Sequence, residues 1–178
     1  MKTISAITIF TLFLFMNKPK LIYDFTSSSG TDWQVVNDGV MGGLSEGMFT
    51  ANEEGHGVFK GKVSLENNGG FTSIRKSVSY KLSNESKSIV LRLKGDGKRY
   101  QFRIKKSLSD RHSYIQYFET DGTWQKVELK LADFYPSWRG RTLDMPNFEA
   151  NTIKELRFLI ANKKPQDFEL EIDYIALK

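Results

Sequence analysis

Few side chains in this sequence are placed to do chemistry. Asp38 and Glu66 are the carboxylates best suited to act as a pair, as glycosidases use two acids at a set separation across a sugar. Sequence spacing fixes no such separation, so a small hydrolase stands third among the readings. Ser45 and Ser73 lack the G-x-S-x-G context of a nucleophile elbow. Gly39-x-x-Gly42-Gly43 has neither the Lys-Ser/Thr ending nor the strand-to-helix setting of a phosphate loop. His56 and His112 have no ligand set at metal spacing and are expected in solvent. Asp96 and Asp121 precede glycines in turns, where Asp bonds its own backbone. No catalytic residue, cofactor or metal is expected, and no dense carboxylate loop demands calcium. Tyr135, Trp138, Arg139 and Arg141 are the candidates for a binding surface, because Trp and Arg most often dominate interface energetics. They suit a protein partner, or a sugar ring with its hydroxyls; the alternative is that Trp138 and Phe134 cap the fold.

Loops must position whatever is held. The stretch from Trp33 to Arg75 contains two glycine pairs, Gly42-Gly43 and Gly69-Gly70, each preceded by polar turn formers. Glycine beside strand material signals a bulge or a close backbone approach. Two shaped loops facing one place are expected.

The string Trp33, Asn37-Asp38-Gly39-Val40-Met41-Gly42-Gly43, Ser45, Phe59-x-Gly61 and Glu66-Asn67-Asn68-Gly69-Gly70-Phe71-x-Ser73-x-Arg75 resembles the complex I intermediate-associated protein family. Gly95-Asp96-Gly97 with Tyr100, Trp124, Phe134, Arg139-Gly140-Arg141 and the segment from Phe168 to Ile175 are similar too. The likeness covers residues 21–178. It implies an all-β fold, a single jelly-roll β-sandwich of the galactose-binding-domain-like type. It also implies a non-catalytic, chaperone-like assembly factor that binds a subunit or folding intermediate of a membrane respiratory complex. A carbohydrate-binding module is the alternative function. The family pattern holds an acid and an arginine at Asp38 and Arg75, and a charged pair there would lock the two loops in register.

The chain of 178 residues is 39% hydrophobic and 13% aromatic, enough for one domain with a core. It has no cysteine, which excludes disulfides, thiolate metal sites and a cysteine nucleophile. The net charge of +5 favours acidic partners, yet no basic-aromatic signature points to nucleic acid. Residues 1–20 form a separate apolar segment, with Lys2 ahead of the run Ile4 to Met16. The run suits an export signal or an uncleaved anchor, giving membrane association through residues 1–16; a start at Met16 would give a cytoplasmic protein.

The remainder reads as strands. In Arg99 to Lys105, Tyr100, Phe102 and Ile104 alternate with Gln101, Arg103 and Lys105, so aromatic and basic groups take opposite faces. Gly95-Asp96-Gly97-Lys98 and Thr120-Asp121-Gly122-Thr123 each predict a hairpin between flanking strands. Asp133 to Phe148 reads as irregular. In the last strand Phe168, Leu170, Ile172 and Tyr174 share the inner face. Short strands with Gly, Asn and Asp turns argue for a sandwich or barrel.

Overall fold

In a computed structural model that describes residues 20–28 and 32–178, period-two alternation resolves into two antiparallel sheets. The strands are β1 Lys20–Asp24, β2 Gln34–Asn37, β3 Glu46–Ala51, β4 Gly57–Val63, β5 Thr72–Lys81, β6 Ser88–Gly95 and β7 Arg99–Lys105. They continue with β8 Ser113–Glu119, β9 Trp124–Lys130, β10 Tyr135–Trp138, β11 Arg141–Thr142, β12 Thr152–Ile160 and β13 Gln166–Leu177. One sheet has six strands, in the order β3-β4-β13-β6-β9 with β1 beside β4 on the same edge of β13. The other has seven, in the order β11-β10-β8-β7-β12-β5-β2. The export-signal or anchor segment lies outside the described residues. Among the described residues no helix is long and apolar enough to cross a membrane.

The inner faces bury Tyr100, Phe102 and Ile104 of β7 with Leu156 and Phe158 of β12, against Ile89, Leu91 and Leu93 of β6 and Phe168, Leu170 and Ile172 of β13. Edge-to-face and tilted ring pairs run through this layer, including Phe102 with Phe158 at 4.9 Å and Phe59 with Phe168 at 4.8 Å.

Both predicted hairpins are corrected. Strands β6 and β7 lie in different sheets, as do β8 and β9. The Asp-Gly sequences supply left-handed glycines, φ 77° at Gly97 and 87° at Gly122, but the chain uses them to cross between sheets. The two crossings are tied together. Thr120 Oγ1 accepts the Lys98 amide at 3.0 Å and donates to the Lys98 carbonyl at 2.9 Å. Asp121 does bond its own turn, at Thr123, whereas Asp96 reaches outward to Tyr100 Oη at 2.8 Å and the Glu169 amide at 2.9 Å.

Other expectations shift for local reasons. A bulge between Ile172 and Tyr174 inserts one residue, so Tyr174 turns to the outer face while Ile175 and Leu177 enter the core. The segment predicted as irregular holds β10 and β11. Trp138 pairs with Arg141 around Arg139 and Gly140, whose φ values of 49° and 76° are those of a tight two-residue hairpin turn. His56 is half-buried against the Trp124 ring at 4.6 Å, and His112 is half-buried beside Tyr114.

Candidate functional site

The two glycine loops meet around a single carboxylate. Asp38 opens a short 3₁₀ turn, Asp38–Met41, at the end of β2, and it is completely buried. Its Oδ1 accepts the Ser45 amide at 3.0 Å. Its Oδ2 accepts the Ser45 hydroxyl at 2.6 Å, the Gly70 amide at 2.6 Å and the Phe71 amide at 3.2 Å. Burial alone pushes this carboxyl up. The Ser45 hydroxyl and the amides of Gly70, Ser45 and Phe71 more than offset it, so its pKa lies below the ordinary carboxylate value.

Side chains at Gly43 and Gly69 would not fit, whereas Gly39 and Gly42 face open space. A Cβ on Gly43 would lie 2.4 Å from Asp38 Cγ and 2.8 Å from the Gly69 Cα, so the glycines are where the two backbones touch. Asn37 adds a second tie, with Oδ1 accepting the Gly47 amide at 3.2 Å and the Thr72 hydroxyl. Trp33 is buried in the core and stacks on Phe25 at 5.4 Å. Gly39, Gly42 and Asn67 lie on the outer surface of the loops. Met41 closes the 3₁₀ turn.

Two expectations about Asp38 change. Arg75 does not pair with it. Arg75 sits on β5 opposite Gln34 and Arg157, and its Nε donates to Gln34 Oε1 at 3.3 Å. Backbone amides supply what Asp38 needs, so no guanidinium is required there. The Asp38 and Glu66 pair does not form an acid-base site either, because Asp38 has no exposed surface while Glu66 is in solvent.

The four candidate binding residues divide between two places. Trp138, Arg139 and Arg141 form the exposed tip of the β10–β11 hairpin, with the Arg139 guanidinium 4.9 Å from the Trp138 ring centre. Phe134 is in the core and Trp138 is not, so only one of the two caps the fold. Tyr135 is inboard of the hairpin, on the outer face of the seven-stranded sheet.

That outer face carries a constellation that sequence reasoning missed. Strand register sets Tyr135, Ile115, Arg103, Arg157, Arg75 and Gln34 in one row across β10, β8, β7, β12, β5 and β2. Arg157 is paired with Glu155 at 3.1 Å. Arg103 has a neutral partner instead: Nε and Nη2 both donate to Gln101 Oε1, the former at 2.9 Å. Gln101 is buried, and its Nε2 donates to Tyr117 Oη at 3.1 Å. The Arg99 guanidinium lies 4.6 Å from the Tyr117 ring centre. Burial, reinforced by Arg157, pushes Arg103 down to about 10, and burial with Tyr117 nearby raises Tyr135. The face is a set of cationic donors and phenols with little carboxylate among them. Strand parity already put Arg103 and Gln101 together; their meeting with Tyr117, Tyr135 and Arg157 needs the strand order.

Among the described residues no group of three or more His, Asp and Glu side chains gathers as a metal site. Solved structures share the fold. A family 11 carbohydrate-binding module of the cellulosomal cellulase Lic26A-Cel5E of Clostridium thermocellum gives a TM-score of 0.68 at 17% identity, over 90% of this chain and 94% of that one. A family 11 module from the same organism, in complex with a β-1,3-1,4-mixed-linked tetrasaccharide, gives 0.66 at 16% identity over 89% and 94%. An agarase, AgWH50C, gives 0.58 at 13% identity, over 89% of this chain but 26% of that one. At such identities the likeness is one of fold: a jelly-roll β-sandwich of the galactose-binding-domain-like type. The sequence itself matches Complex I intermediate-associated protein 30 over residues 23–172, so the chain belongs to that family.

Proposed function

We propose that this domain is a non-catalytic assembly factor that holds a subunit or folding intermediate of a membrane respiratory complex. The family match over residues 23–172 carries the reading. The exposed hairpin tip of Trp138, Arg139 and Arg141 supports it, since a projecting aromatic with two guanidinium groups suits a protein interface. Residues 1–16 would bring the domain to a membrane, and the mature N-terminus, read by mass spectrometry, distinguishes an anchor from a start at Met16. The test is affinity capture from solubilised membranes with the wild type and the double variant Trp138→Ala, Arg139→Ala. The wild type should retain a respiratory-complex subunit, and the variant should lose it with an unchanged melting temperature. Equal capture by both removes the hairpin from the interface; no such subunit with either removes the assembly role.

A second reading, carbohydrate binding, is favoured by the outer face of the seven-stranded sheet. Gln101, Arg103, Tyr117 and Tyr135 supply donors, acceptors and rings there. The two Clostridium modules are described as carbohydrate-binding, one of them in complex with a mixed-linked tetrasaccharide. A glycan array gives the answer: binding lost in Tyr117→Ala supports this reading, and an array without a hit ends it.

A further inference from the structure

We infer that the outer face of the seven-stranded sheet takes a sugar chain bearing ring carboxylates, with Arg103 receiving a carboxylate and Tyr117 and Tyr135 meeting the rings. The inference rests on the carbohydrate reading and specifies its ligand.

Three observations lead to it. First, Arg103 is half-buried without a carboxylate partner among the described residues. Its acceptor is the neutral Gln101, and its register neighbour is another guanidinium, Arg157. A desolvated cation next to a like charge is costly unless an anion reaches it. Glu155 acts on Arg103 only at a distance: its Oε1 takes both Nε and Nη2 of Arg157, and among the described residues no salt bridge joins it to Arg103. Second, the site is pre-oriented. Gln101, only 4% exposed, holds Arg103 with its oxygen and Tyr117 with its nitrogen. Among the described residues no hydrogen bond engages Arg103 Nη1, so one edge of the guanidinium remains for a planar acceptor. Third, phenols flank the guanidinium. Tyr117 stays 41% exposed even with Arg99 against its ring, and Tyr135 shares the row of Arg103 through Ile115.

These features select among ligands. A neutral sugar leaves Arg103 without a counter-charge. An extended acidic peptide would add to a sheet edge, but β7 and β12 are interior strands whose backbone groups are already paired on both sides. A chain of acidic rings needs no backbone pairing and meets rings and guanidinium together.

The experiment is titration calorimetry on the full chain with an oligogalacturonate, its methyl ester, a neutral mixed-linked glucan tetrasaccharide and hexaglutamate. The oligogalacturonate should bind, and should lose about tenfold or more of its affinity on methyl esterification, in Arg103→Gln and at raised salt. Arg103→Lys should recover only part of the loss, because an ammonium cannot make the planar two-point contact. Tyr117→Ala, at an exposed position, should weaken binding with an unchanged melting curve, and Lys126→Gln on the other sheet should change nothing. Equal binding of acid and ester, or a preference for the neutral glucan, overturns the inference while the carbohydrate reading stands. Absence of any glycan binding removes both. Binding of hexaglutamate as tightly as oligogalacturonate also overturns it, in favour of an acidic protein partner.

Discussion

The Asp38 carboxylate accepts one hydroxyl and three backbone amides from two segments that are also tied by Asn37 to Thr72 and by Ser45 to Ser64. Asp38→Ala would leave buried donors without acceptors. The expected loss is about 3–5 kcal/mol in urea denaturation, mostly from the stranded amides. The linkage follows from the lowered pKa. A carboxyl whose folded pKa lies below its unfolded value contributes stability that is fully present above about pH 3.9 and lost as pH falls through the folded pKa. Urea midpoints should therefore fall below about pH 4, and Asp38→Asn should flatten that fall. Gly43→Ala tests the neighbouring contact. The new methyl group would press on Asp38 and Gly69, and a loss of about 1–3 kcal/mol is expected. The sequence made the nesting of the glycine loops legible, because glycine pairs beside strands have few other uses. It did not reveal that Asp38 is held by amides, since amides carry no sequence signal.

At the scale of elements, the connections decide the architecture. Asp-Gly turns look alike whether they return a strand to its neighbour or carry it to the other sheet. What separates the cases here lies far along the chain: Thr120 on Lys98, and Asp96 on the Glu169 amide. Burial and the Asp96 carboxylate raise the pKa of Tyr100 well above that of a free phenol, which marks a hydroxyl kept as a donor inside the fold. Asp96→Ala should cost about 1–3 kcal/mol by thermal or urea unfolding, as the Glu169 amide loses its acceptor and the buried phenol keeps only the Glu169 carbonyl. Trp138→Ala, at the hairpin tip, should stay within about 0.5 kcal/mol of the wild type. The alternation of β7 and the inward face of β13 as far as Ile172 could be read directly. The phase change after Ile172 could not, because a bulge is set by the partners β1 and β6 and not by the strand alone.

For the whole molecule, class and layering were legible from short alternating strands, while the constellation on the open sheet was not. Its residues run from Gln34 to Arg157 in sequence and converge only through the order β10-β8-β7-β12-β5-β2. The same distance between sequence and space affects how the domain comes into being. Strand β13, residues 166–177, is the spine of the six-stranded sheet and borders β4, β6 and β1. A polypeptide emerging from the ribosome must wait for it with the flanks of β4 and β6 unmatched, the state in which sticky strand margins invite wrong partners. Ribosome-stalled chains ending near residue 165 should be cut readily by protease, and those extended past Leu177 and clear of the exit tunnel should resist it. Folding during synthesis would then be a single late event.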